Sequence, residues 1–425
     1  MTRVKNFLKG ACLLLALLTV ASCNKDMFNE ADYNTLVETV QPVKNIQASH
    51  TWQLAATHYI TVEPRAYKAS MKRLQILSAN PARGQGADIL GDYLLTGSDR
   101  EYVAFTAPSI LTQFYAALID EAGTYTVTPF KASDRNIAFD SPTDVRVAVD
   151  QQKTGLQVFS YCFEDEMPQP GDYDYNDVVL RISQERTATN QITLNVTLAA
   201  VGSLAQVAAA IRLVGYNFED IERVTTVDDE SFDEGIRKSA VPFINSTDLL
   251  MSSISGEAVI NLFEDAHVAT GAYGYTSEGY IPRYKYNVSK TTSEEYEMVS
   301  PRTVSYVITF KNPTLLDYFT LATLDPFAIV EYNGILMEEH AVYEYRNYTV
   351  LHDYSQPSSA VILPWALVVP TGSFRYPLDG INIGFANDDA LFGAYMTNNH
   401  SFGQWASNST TSCDWYNYPT SNMVY

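Results

Sequence analysis

The stretch Gln191-Ile-Thr-Leu-Asn-Val-Thr-Leu198 alternates without a break. Ile192, Leu194, Val196 and Leu198 fall on one face and Thr193, Asn195 and Thr197 on the other, the period of two that marks a half-buried β-strand. Val304, Tyr306, Ile308 and Phe310 repeat the pattern later in the chain. Upstream, short runs of the same kind (His58–Val62, Arg73–Leu77, Tyr102–Phe105, Phe114–Ile119 and Thr124–Val127) are separated by Pro, Gly, Asn and Asp. Asp120-Glu-Ala-Gly123, between the last two, reads as a hairpin turn. The runs predict a mainly β protein with two antiparallel β-sandwich domains, a small one over 56–135 and a larger, jelly-roll-like one over 150–425. The boundary is placed inside the polar stretch Ala132–Thr154. Ala205–Val214 is ambiguous, with helix-favouring alanines followed by a strand-like end, and its second half is read as strand. The acids, Gly, Ser and Tyr between Asp228 and Tyr286 predict long loops around short strands.

Composition narrows the function classes. The 425 residues are 46% hydrophobic and 18% charged, with 28 Lys+Arg against 49 Asp+Glu and a formal net charge of −21. A hydrophobic share of that size predicts a folded chain rather than a disordered one. The acidic balance repels a phosphate backbone, so nucleic acid is not an expected partner and cations are. Tyr is abundant, 29 residues against 4 Trp, and suits half-buried pleated surfaces.

The start of the chain is an address. Arg3, Lys5 and Lys9 precede an apolar run over Ala11–Ala21 that is too short to span a bilayer, as in a secretory signal. It ends in Val20-Ala21-Ser22-Cys23, which resembles the bacterial lipobox. That resemblance implies that residues 1–22 are a lipoprotein signal peptide and that Cys23 is lipidated and holds the protein on a membrane through acyl chains. Position 24 is Asn rather than the Asp of the inner-membrane retention signal, which points to the outer membrane, periplasmic or surface-exposed. Residues 23–55 read as the lipid-anchored tether. With Cys12 in the signal and Cys23 acylated, Cys162 and Cys413 remain, and spacing alone leaves open whether they pair.

The most unusual pattern follows the strand-like run Leu156–Phe163. Glu164, Asp165 and Glu166 lead into a Pro/Gly turn, then Asp172-Tyr-Asp174-Tyr-Asn176-Asp177, then the strand Val178–Ile182. Oxygen ligands at i, i+2 and i+4 of a tight loop can converge on one point, and Ca²⁺ takes six to eight of them. One reading is therefore a Ca²⁺ loop with Asp172, Asp174, Asn176 and Asp177 as first ligands and Glu164 or Asp165 reaching across from the preceding strand. The other is a cluster of Asx turns whose carboxylates accept backbone N–H groups at a strand entry. Mutual repulsion among the acids favours the metal. An EF-hand is excluded, because Asp177 and Ser183 stand where its Gly and Glu belong and a strand follows instead of a helix.

Phe163-Glu-Asp and Gly171-Asp-Tyr-Asp-Tyr-Asn-Asp-Val-Val resemble the signature of LruC-domain lipoproteins of Bacteroides-like bacteria, whose C-terminal part is a domain of unknown function. Leu363-Pro-Trp-Ala-Leu-Val-Val-Pro, Phe374-Arg-Tyr-Pro, Trp405 and Asp414-Trp-Tyr416 carry the same resemblance at the other end. It covers roughly residues 155–425 and implies a β-sandwich lipoprotein with a Ca²⁺ loop and no known reaction. The Glu339-His340 region matches the family only loosely, and His340 is given no role.

Other chemistries find little support. The six histidines are scattered, with no zinc spacing and no phosphate-cradling glycine loop anywhere in the chain. Gly274–Gly279 lacks the Gly two before Ser277 that a nucleophile elbow needs. Tyr273, Tyr275, Tyr280, Trp405, Trp415 and Tyr416 could stack on sugar rings, although the Trp405–Tyr416 group is better read as closing the sandwich. The expectation is a non-catalytic envelope protein that binds a glycan or protein partner. A fimbrial subunit or accessory protein, and a polysaccharide-active enzyme built on a carboxylate pair, are the alternatives. Ligand and oligomeric state are not encoded in these patterns.

Overall fold

The computed structural model describes residues 42–43, 45–81, 86–140, 145–147, 154–166, 171–227, 250–271, 283–332, 335–342, 363–384, 395 and 400–425. The signal segment, Cys23, Tyr273, Tyr275, Tyr280 and the Gly274–Gly279 loop lie outside the described residues. The protein is mainly β, with few short helices and several small, largely antiparallel sheets.

The first strands are β1 (Ala55–Glu63), β2 (Met71–Leu77), β3 (Ala87–Leu94), β4 (Glu101–Pro108), β5 (Gln113–Asp120), β6 (Tyr125–Lys131), β7 (Asn136–Ala138), β8 (Val145–Val147) and β9 (Thr154–Leu156). They form a three-stranded sheet in the order β4-β1-β7 and a six-stranded sheet in the order β8-β6-β5-β2-β3-β9. Ile60, Val62, Leu74, Ile76, Phe105, Phe114 and Phe130 join the two sheets in one core. The β5–β6 hairpin turns through Gly123, whose φ of 75° is open to a residue without Cβ. Strands β7 to β9 extend these sheets past residue 135, because β7 adds parallel to β1 and β9 parallel to β3. Each is only three residues long, too short to show a period, so only the pairing reveals them.

The later strands are β10 (Val158–Phe163), β11 (Val178–Ala188), β12 (Gln191–Ala200), β13 (Val207–Asn217), β14 (Ile221–Val227), β15 (Met251–Ile254) and β16 (Glu257–Phe263). After helix α1 (Ala266–Ala269) come β17 (Lys285–Tyr286), β18 (Tyr296–Glu297), β19 (Arg302–Phe310), β20 (Leu324–Tyr332), β21 (Ile335–His340) and β22 (Ala366–Val369), then helix α2 (Phe402–Ser407). The sheet orders are β14-β19-β12-β11-β10-β22 and β15-β16-β13-β20-β21. The two alternating runs of the sequence are direct neighbours, with Ile192 opposite Ile308, Leu194 opposite Tyr306 and Val196 opposite Val304. This register puts both apolar sets into a core shared with Ala209, Ile211 and Leu213 of β13. The Ala-rich segment is strand from Val207 onward, its alanines included. Ala208 and Ala210 are buried on its other face, so no alternation shows in its sequence.

A second core caps one end. Cys162, Tyr173, Tyr175, Val179, Phe374, Tyr395, Phe402, Trp405, Trp415 and Val424 pack together, and Val43, Trp52 and Leu54 pack among them. Val43 and the described residues 45–54, within the segment expected as a tether, thus make contacts with this cap. Gln47 N donates to Ala406 O at 2.9 Å, His50 Nε2 meets Trp405 O at 2.9 Å, and Trp52 packs edge-on to Trp405 at 5.5 Å. Cys162 and Cys413 are both free, the former buried on β10.

Candidate metal centre

The antiparallel pair β10–β11 starts with Phe163 opposite Val178, so the acids occupy the connection between two hydrogen-bonded strand ends. Tyr173 and Tyr175 take left-handed φ values of 59° and 52°, which residues with a side chain rarely adopt. Local interactions fix both. Their N–H groups donate to Glu164, at 3.0 Å to Oε2 and 2.6 Å to Oε1, and the Tyr175 hydroxyl donates to Pro364 O at 2.8 Å. Strain of this kind, of order 1–3 kcal/mol per residue, persists only where the surroundings over-determine the conformation.

The alternation turns the intervening acids toward Glu164. Ligand oxygens of Glu164, Asp172 and Asp174 all lie within 4.8 Å of one another. Glu164 and Asp174 are buried, and Asp172 is exposed at the rim. Asp174 Oδ1 accepts from Asn176 N at 3.1 Å and Oδ2 from Gly380 N at 2.7 Å. Burial, then the charges of Asp174 and Asp172, holds the Glu164 carboxyl well above the ordinary range. Burial and Asp172 do the same for Asp174, while at the rim partial desolvation of the Asp172 carboxyl, followed by Asp379, raises Asp172.

The remaining expected ligands sit beside this group. Asp177 Oδ2 accepts Asp165 N at 2.9 Å, and the Ser203 hydroxyl donates to Asp165 Oδ2. Asn176 Nδ2 donates to Pro377 O at 3.0 Å, while its buried Oδ1 has no hydrogen-bond partner and faces Gly202. The six acids and amides therefore divide into a converging trio, a separate Asp165–Asp177 pair and an amide turned aside. The loop is at once a cluster of carboxylate-to-backbone turns and a convergence of charge, so both sequence readings describe part of it.

Sequence reasoning missed the outer support. Lys285 Nζ binds Asp379 Oδ1 at 2.6 Å, and the Tyr296 hydroxyl donates to Asp379 Oδ2 at 2.7 Å. The Asp379-Gly380 pair is a turn signal, but nothing in the sequence ties it to a loop two hundred residues earlier. The donor set fits a hard cation: it is all oxygen, triply acidic, preorganised by backbone N–H groups and without nitrogen or sulfur.

Away from the loop, His340 is buried between Asp325 Oδ2 at 2.6 Å and Glu338 Oε2 at 3.1 Å. Asp265 caps α1 by accepting the His267 N–H, and His267 Nε2 meets Ser203 O at 2.9 Å. Trp405, Trp415 and Tyr416 are buried, so they close the cap and offer no sugar-stacking surface.

A family model described as a domain of unknown function, DUF4842, matches residues 188–416. The chain belongs to this family. In this DUF4842 protein the match begins at the last residue of β11 and takes in β12 through β22 and α2, leaving the acidic loop just outside it. The sequence resemblance to LruC-domain lipoproteins is thus met at the level of a domain of unknown function. Among solved structures, the crystal structure of a candidate lipoprotein from Bacteroides ovatus is similar at 14% identity, covering 84% of this chain and 99% of that chain with a TM-score of 0.46. No curated protein matches.

Proposed function

We propose that this DUF4842 protein is a non-catalytic, lipid-anchored protein of the cell envelope, held at the outer membrane through Cys23, whose larger β-sandwich is braced by Ca²⁺ at the loop 164–177. The observation that carries the metal reading is the convergence of the Glu164, Asp172 and Asp174 oxygens within 4.8 Å. Three carboxylates held together with raised proton affinity are poised either to take up protons or to share a divalent cation. The bound ion would supply the counter-charge that lets these side chains stay ionised. Glu164 would then brace both left-handed tyrosines, and Asp174 would tie the loop to Gly380. The lipobox-like Val20–Cys23 and the apolar run before it support the anchor. The rigid body would present its loops to a glycan or a surface protein.

The test is calorimetric titration with Ca²⁺ and thermal unfolding of residues 24–425, with Asp172→Ala/Asp174→Ala alongside. Ligand at a hundred times Kd stabilises by about 2.7 kcal/mol. A Ca²⁺-dependent rise in Tm that the double variant loses supports the reading, and equal Tm in Ca²⁺ and chelator overturns it. For the anchor, Cys23→Ala should move the protein from the membrane to the soluble fraction.

A further inference from the structure

The two groups of sheets meet where β3 approaches β11, and a cavity of about 20 Å³ lies in the joint, lined by Gly91 and Asp92 from β3, Gln184 and Arg186 from β11, Gln157 and Phe319. Gln157 is the single residue between β9 and β10, so it sits on the covalent link between the two groups. Three side-chain atoms of the lining are buried without a hydrogen-bond partner: Gln157 Nε2, Gln184 Oε1 and Arg186 Nη1. Gln157 and Arg186 are each only 6% exposed.

The guanidinium of Arg186 is fixed, with Nε donating to Ala188 O at 3.0 Å and Nη2 to Thr189 O at 2.5 Å. Its third nitrogen faces Asp317 at 3.8 Å, beyond hydrogen-bond reach. Across the joint Arg73 is held by both oxygens of Asp92 and donates from Nη2 to Arg186 O at 3.0 Å. Two buried donors and one buried acceptor therefore belong to residues that line a space large enough for a single water, which needs roughly 10–15 Å³ and two to four polar neighbours.

We propose that this cavity is a built site for one water molecule, which accepts from Gln157 Nε2 and Arg186 Nη1 and donates to Gln184 Oε1, and so links the two groups of sheets. An anion could not donate to Gln184 and would lie beside Asp92 and Asp317. A metal cation would face two N–H donors. Water alone complements both kinds of group.

The experiment is a high-resolution crystal structure of residues 24–425, with one crystal soaked in bromide. A single density peak at hydrogen-bond distance from all three atoms, without anomalous signal after the soak, supports the proposal. Anomalous signal at that position would make the site an anion site and overturn it, as would the three atoms being re-paired with protein groups and no peak between them. Gln157→Leu places an apolar side chain in the same space, and its crystal should lose the peak. Persistence of the peak on the other two atoms would exclude Gln157 from the site. If the variant does not fold, the unsubstituted crystal decides.

Discussion

Glu164 Oε1 accepts the backbone N–H of Tyr175 at 2.6 Å, which ties the end of β10 to a residue in the left-handed region twelve positions into the acidic motif's run from Phe163. Glu164→Gln keeps an acceptor but removes a charge from the cluster. In chelator the variant should lose about 1–3 kcal/mol, since its amide nitrogen would face one of the two N–H groups, of Tyr173 or Tyr175, that Glu164 accepts, a loss only partly offset by relieved repulsion. With Ca²⁺ it should lose most of the parent's stabilisation. Paired denaturant titrations with and without chelator measure both.

The same carboxylates set a pH dependence. Glu164, Asp174 and Asp177 have folded-state proton affinities above their ordinary values, chiefly through burial and then through neighbouring acids. Between the unfolded and folded pKa values the native state holds more protons than the unfolded one, so stability falls as pH rises. In chelator, Tm should therefore be higher near about pH 5 than near about pH 8, apart from contributions of other groups. Saturating Ca²⁺ should flatten this slope, and a slope unchanged by Ca²⁺ would count against a metal on these groups.

His340 acts with the same sign in a higher pH window. Burial lowers its pKa, but the hydrogen bonds to Asp325 and Glu338 outweigh this and carry it up from 6.5 to about 9. Its contribution is fully present below the unfolded value and is lost as pH passes through about 9. His340→Ala leaves Asp325 buried and short of its cationic neighbour, a loss of about 3–5 kcal/mol at neutral pH. The difference from the parent should shrink in unfolding curves taken above the histidine's titration.

Gly202 is a test of close approach. A Cβ there would run into Asn176 Oδ1 and lie 2.9 Å from the Asn176 backbone oxygen, which cannot move without disturbing the strand entry. Gly202→Ala should destabilise by about 1–3 kcal/mol through overpacking. Gly215→Ala, where nothing stands within 4 Å but φ is 81°, separates backbone strain from this clash in the same unfolding assay.

Trp52→Ala should cost about 3–5 kcal/mol, the range for a buried large aromatic. A segment that was merely a tether would show no change, so near-ultraviolet circular dichroism and Tm together discriminate.

How much of this was legible depended on whether the cause was local. β12 and β19 could be read because one buried face gives a period of two. Of β13 only the later part, beyond the alanines, could be, because alanines buried on both faces carry no period. The acids of the loop could be marked from their spacing, but their division into Glu164, Asp172 and Asp174 on one side and Asp165 and Asp177 on the other follows from the left-handed turns at Tyr173 and Tyr175. Val43, Trp52 and Leu54 gave no signal at all. They are spaced irregularly, and the rings against which Trp52 packs, Phe402 and Trp405, lie more than three hundred residues away.

That last contact orders events in time. A chain made from its N-terminus delivers Trp52 early, yet Phe402 and Trp405, against which it packs, follow more than three hundred residues later. The cap can close only once those rings have been made, so a chain that stopped short of them would display an uncovered tryptophan, a mark by which proteases could tell unfinished copies from finished ones.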